Sequence, residues 1–126
     1  MKYRTALHDV RGLGSAKDGT RHWWIQRITS LALVPLTLWL AYYLARIASM
    51  GYEQALVWVR SPLTSVLLLS TILALAYHAK LGLQVVIEDY VHREGVKLAA
   101  LIGVNFLTLL LGLASALAVL RVALAG

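Results

Sequence analysis

Three uninterrupted apolar blocks, residues 28–47, 63–87 and 98–120, constrain this chain more than anything else in it. Each is close to or longer than the roughly 20 residues a helix needs to cross the hydrocarbon of a bilayer. A helix or strand with one wet face would interrupt its apolar run every few residues, and these blocks are not interrupted in that way. Charge agrees, because only 14% of the 126 residues are Asp, Glu, Lys or Arg, against about 25% in a soluble domain. A water-soluble fold is therefore excluded. The sequence predicts an all-α membrane protein of three transmembrane helices, at about 28–47, 62–90 and 97–121.

Residues 1–27 are polar and dotted with glycine, and read as a poorly structured basic arm ahead of an anchor domain at 28–126. Secretory signals have an apolar run of only about 7–15 residues before their cleavage site, so no cleavage is expected. Pro35 falls inside the first block, where a membrane helix tolerates it as a kink. Ser61-Pro62 opens the second block with a capping hydroxyl followed by proline at the first helical position. Gly103, Gly112, Ala114, Ser115 and Ala116 offer the third helix small surfaces for close packing. The connectors are too short for a second domain.

Three crossings put the arm and the second connector on one side of the membrane. That side holds Lys2, Arg4, Arg11, Lys17, Arg21, Arg27, Lys80, Arg93 and Lys97, whereas the other holds Arg46, Arg60 and Arg121. By the positive-inside rule the N-terminus is cytoplasmic and the C-terminus lies on the opposite side of the membrane. The same asymmetry accounts for the net charge of +6 without nucleic acid as a partner. Trp23 and Trp24 at one end of the first span, and Tyr42, Tyr43, Tyr52 and Trp58 near the other, read as interfacial aromatic belts. With no cysteine in the chain, disulfides, thiolate-held clusters and covalently attached haem are excluded. A redox cofactor here would be held without a covalent link, by His.

The second span carries residues that do not belong in a greasy helix. His78 and Lys80 lie inside it, and ionisable residues in a span are rare and usually functional. On a continuous helix the step from His78 to Asp89 is three turns plus about 20°, so both share a face, and Gly82 shares it too. Gly82 would leave a flat space beside the imidazole of the kind a porphyrin edge needs. Lys80 points about 200° away and reads as an anchor reaching for the headgroups. His78 is therefore either a haem ligand or an imidazole hydrogen-bonded to a neighbouring helix. If it binds haem, a second axial ligand must come from another protein, because His8, His22 and His92 lie outside the spans. Asp89 and Tyr90, at the end of the span, either line a quinone site, with a phenol beside a carboxylate to move protons, or are ordinary interfacial residues.

The run His-x3-Gly-x-Gln-x4-Asp-Tyr from His78 to Tyr90, with His22-Trp23-Trp24-Ile25-Gln26-Arg27 upstream, resembles the small hydrophobic membrane-anchor subunit of succinate dehydrogenase, respiratory complex II, of the alphaproteobacterial type. The resemblance covers the whole architecture. It implies that His78 is an axial ligand of haem b shared with a second anchor subunit of the cytochrome b type, which supplies the other His. Asp89 and Tyr90 would lie at the ubiquinone site, and Arg27 would approach the haem propionates, with His22 a weaker match of the same kind. Gln84, Glu88 and His92 belong to the motif without an assigned role. Flavoprotein and iron–sulfur subunits would dock on the cytoplasmic face, oxidise succinate and pass electrons to ubiquinone, so that this chain catalyses nothing by itself. The rival readings are the anchor of a fumarate reductase, a cofactor-free three-helix scaffold, and a small transporter; the spans lack the broken helices of a midplane substrate site.

Overall fold

The structure, a computed structural model, describes residues 16–125. Among them the chain forms α1 (Ala16–Ile47), α2 (Tyr52–Arg60), α3 (Pro62–Tyr90) and α4 (Glu94–Leu124). Helices α1, α3 and α4 are long and apolar enough to span a membrane, over Gly19–Ile47, Pro62–Tyr90 and Glu94–Leu124. The expected all-α fold with three membrane helices is what forms.

Its boundaries differ from expectation in two places. Residues 16–27, read from sequence as unstructured arm, are helix, continuous with the first span. Gly19 is the weakest helix former there, and His22, Gln26 and Thr29 recur at helical spacing, which lets this extension lay one face on α3. The rest of the arm, with His8, lies outside the described residues. Helix α2 is the second difference, since the sequence reading placed no element between the first two spans. It starts with Glu53 in its first turn and ends with Arg60 in its last, both complementing the helix dipole.

Ser61 is the N-cap of α3 with Pro62 behind it, yet its hydroxyl makes no capping bond. Instead the Ser65 hydroxyl donates to the carbonyl oxygens of Val59, at 2.8 Å, and Ser61, at 3.1 Å, which ties the end of α2 to the start of α3. Only Val91, His92 and Arg93 separate α3 from α4, so these two form a tight antiparallel hairpin. Helix α1 packs on the other flank of α3, which is therefore the central helix.

Little of the bundle is buried. Leu33 and Leu81 are the only hydrophobic residues among those described that fall to 8% and 5% exposure, alongside Thr64 at 5% and Thr71 at 3%. Leucines and valines on every helix point outward, as expected where lipid or neighbouring membrane subunits replace water and close packing, not hydrophobic expulsion, joins the helices. Small residues do this between α3 and α4: a β-carbon added to Gly112 would lie 3.3 Å from that of Ala76. Gly103, expected to serve likewise, faces open space with nothing within 4 Å. At the far end of α1, Tyr43 stacks on Trp58 of α2 at 4.8 Å between centroids, and Trp39 sits 5.9 Å from Trp58. Such pairs are worth about 0.5–1.5 kcal/mol each beyond their buried area and hold α2 against the first span.

Candidate functional site

Thr64, Thr71 and His78 follow one another at seven-residue spacing along α3, so the imidazole continues the seam on which the two most buried hydroxyls lie. What it meets comes from α1. His78 Nδ1 lies 3.0 Å from the Thr29 hydroxyl oxygen. That hydroxyl is also 2.8 Å from the Ile25 carbonyl oxygen and 3.0 Å from that of Gln26. The other ring nitrogen, Nε2, makes no hydrogen bond among the described residues. Of the two alternatives left open by the sequence, the structure shows the hydrogen bond to a neighbouring helix, made through Nδ1.

One turn further along the same interface, Gln26 of α1 abuts Gly82 of α3: a β-carbon added there would lie 3.7 Å from the Gln26 side-chain nitrogen. Within this chain, then, the space opened by Gly82 beside the seam is bordered by an amide. Gln26 Oε1 and His22 Nε2 are both buried without a hydrogen-bond partner. An unsatisfied buried polar atom costs about 1–3 kcal/mol, so two of them on one face, beside an imidazole with a vacant nitrogen, mark the place where this chain alone is incomplete. That pattern fits a haem. A vacant ring nitrogen supplies a ligand for iron, and buried donors and acceptors near it suit the polar edge of a porphyrin. Among the described residues no three of His, Cys, Asp and Glu gather into a metal-holding group.

Arg27 is exposed and stacks over the Trp23 ring, 4.9 Å from its centroid, on the same helical turn as Gln26 but turned from the His78 seam. Lys80 lies over Tyr77 of its own helix at 5.8 Å and borders a shallow apolar groove between α3 and α4, away from His78 as expected. At the end of α3, Asp89 and Tyr90 are exposed, Tyr90 at 79%. Glu88 is engaged differently: Gln84 donates to its carboxylate at 2.9 Å, one helical turn apart. His92 Nδ1 lies 3.1 Å from the Tyr90 carbonyl oxygen, which helps turn the chain out of α3. Antiparallel packing puts the start of α1 and the end of α3 at one end of the bundle, so His22, Arg27, Asp89 and Tyr90 belong to the same membrane side.

Sequence reasoning missed Thr29 and Gln26. Their signal was present as a polar stripe, His22, Gln26 and Thr29, at positions i, i+4 and i+7 of a segment that is otherwise apolar except for Arg27, but that such residues face one neighbour is visible only once that neighbour is known.

Fold and site together define a class: a multi-pass helical membrane protein that carries His78, and also His22, which the sequence reading placed outside the spans, within its membrane-spanning helices. The profile of the succinate dehydrogenase/fumarate reductase transmembrane subunit family matches residues 1–112. The chain is 34% identical over 110 residues to the succinate dehydrogenase hydrophobic membrane anchor subunit of Rickettsia bellii, covering 86% of each chain. Against the subunit of the same description from Paracoccus denitrificans the identity is 30% over 102 residues, 81% of this chain and 78% of the relative. The succinate dehydrogenase membrane anchor subunit of Reclinomonas americana is 29% identical over 98 residues, 75% of this chain and 78% of that one. No solved structure matches the chain. The chain belongs to the succinate dehydrogenase/fumarate reductase transmembrane subunit family, as a hydrophobic membrane-anchor subunit of succinate dehydrogenase. It is thus a membrane-embedded part of a larger enzyme complex.

Proposed function

We propose that this anchor supplies one axial ligand, His78 Nε2, to a haem b shared with a second anchor subunit of the cytochrome b type, and that Asp89 and Tyr90 form part of a ubiquinone-reduction site beside it. The observation that carries the reading is an intramembrane imidazole held by Thr29 through one nitrogen while the other has no partner among the described residues, next to two unsatisfied buried polar atoms. His22 and Gln26 supply polar contacts at the cofactor's edge, Gly82 leaves room there, and Arg27, which pivots from Trp23, offers charge to the propionates. When bound, the haem supplies a one-electron storage site next to the quinone.

Succinate oxidation to fumarate belongs to a flavoprotein subunit, and an iron–sulfur subunit carries the two electrons to the membrane. Both dock on the end of the bundle where α1 begins and α3 ends. This end is cytoplasmic, because it carries most of the Lys and Arg, in the inner membrane of a bacterium. Reduction of ubiquinone to ubiquinol takes up two electrons and two protons. The exposed Tyr90 hydroxyl donates a hydrogen bond to a quinone carbonyl, which orients the ring and favours the build-up of negative charge on that oxygen. Asp89, not engaged as Glu88 is by Gln84, takes protons from water and passes them toward the quinone. Succinate dehydrogenase is favoured over the fumarate reductase direction by the names of the relatives above.

The test is the reduced-minus-oxidised absorption of the whole complex in detergent, with this chain and with His78→Leu. Loss of the b-type band in the variant, with the complex still assembled, is expected; an unchanged band would remove His78 from the site.

A further inference from the structure

We infer that Thr29 is the positioning residue for His78: its hydroxyl oxygen accepts a hydrogen bond from Nδ1–H and thereby leaves Nε2 as the nitrogen with a lone pair. The inference deepens the proposed function and rests on His78 being the haem ligand. It follows from counting hydrogens. The Thr29 oxygen has three neighbours, the carbonyl oxygens of Ile25 at 2.8 Å and Gln26 at 3.0 Å and His78 Nδ1 at 3.0 Å. A hydroxyl has one hydrogen to give, and carbonyl oxygens can only accept. Were that hydrogen given to Nδ1, two oxygens would face each other at 2.8 Å with no proton between them. Ser30 shows the same preference, donating to the Gln26 carbonyl at 2.7 Å, which also leaves Ile25 as the better acceptor for Thr29. The Thr29 hydrogen therefore goes to its own backbone, and the bond to the imidazole runs from Nδ1–H to the oxygen. A neutral imidazole carries one ring hydrogen, so Nε2 carries none.

The backbone of α1 thus selects the tautomer of a residue on α3 by way of one hydroxyl. It also fixes the ring's rotation about its side-chain bonds, since an acceptor at 3.0 Å tolerates little swing. A hydrogen bond accepted from the distal N–H of a metal-bound imidazole raises the basicity of the ligating nitrogen, and losing such a partner typically weakens metal retention by about 10–100-fold. A more basic ligand favours ferric over ferrous iron, so Thr29 holds the haem potential down.

The experiment uses the complete complex, purified with each of Thr29→Val, Thr29→Ser and Thr29→Cys, and reads haem midpoint potential by redox titration, the ferric electron paramagnetic resonance spectrum, and haem per assembled complex. In Thr29→Val the potential is expected to rise, the ferric spectrum to shift and haem to be lost on the order of tenfold more readily, with Thr29→Ser restoring all three. An unaltered potential and spectrum in Thr29→Val would overturn the proposal. If the valine variant does not assemble, Thr29→Cys, of similar size but a weaker acceptor, is expected to raise the potential by a smaller amount, and no rise there would overturn it equally. The underlying assignment fails separately: a b-type spectrum that survives His78→Leu disposes of the haem ligand itself, whatever Thr29 does.

Discussion

Cysteines placed at Ala76 and Gly112 are expected to join into a disulfide that locks α3 to α4. A β-carbon on Gly112 falls 3.3 Å from that of Ala76, slightly shorter than the roughly 3.5–4.5 Å that disulfides adopt, so a shift of a few tenths of an ångström brings the pair into range. The natural chain has no cysteine, which leaves this pair without competitors in the subunit. For a loop of this length the chain-entropy argument gives a stabilisation of about 4 kcal/mol. Because both helices stay threaded through the bilayer when their packing is lost, the actual gain is smaller. Mild oxidation of the membrane-bound complex, followed by non-reducing electrophoresis and mass measurement for the loss of two hydrogens, reads the bond directly. The variant carrying Ala76→Cys with Gly103→Cys is the control, since Gly103 has nothing within 4 Å, and is expected to stay reduced. If Ala76→Cys with Gly112→Cys stayed reduced while the control pair oxidised, the packing of the hairpin would be refuted, and with it the side of α3 left free for α1.

Three further outcomes are expected. Replacing Tyr90 with Phe should slow quinone reduction about 100-fold or more, within the range for a lost proton donor, while leaving haem content intact; full quinone reductase activity would rule out its hydroxyl. Gln26→Leu should stabilise the isolated subunit in detergent by about 1–3 kcal/mol, because it removes an unsatisfied buried oxygen, yet lower haem retention in the complex; destabilisation of the isolated subunit would show that Gln26 is already satisfied. In intact spheroplasts, Ser49→Cys between α1 and α2 should react with a membrane-impermeant maleimide and Glu94→Cys at the start of α4 should not, and the reverse pattern would invert the topology.

The three spans were legible because nothing in an apolar block of that length competes with a membrane helix. What the sequence hid has physical causes. Helix α1 begins at Ala16 although Lys17, Asp18 and Arg21 look like a solvated arm, because hydropathy marks where a helix enters the membrane and not where it starts. Helix α2 has only nine residues, too few for periodicity to stand out between Gly51 and Ser61. Gly103 and Gly112 are alike in sequence, and only the crossing of α4 over α3 decides that Gly112 meets Ala76. His78 itself stood out as an imidazole in a lipid-facing run, and its shared face with Gly82 followed from helical arithmetic, since both turn toward α1. Its partner did not, because Thr29 lies 49 residues away and threonine is common in membrane helices for reasons that need no partner.

The central claim, that the vacant nitrogen of His78 binds iron, is tested most directly by exchanging the ligand instead of deleting it. His78→Met in the assembled complex should replace the bis-imidazole haem with a methionine-ligated one, seen as a sulfur-to-iron charge-transfer band in the near infrared and a markedly raised midpoint potential. A haem whose near-infrared spectrum and potential match those of the unaltered complex would contradict it.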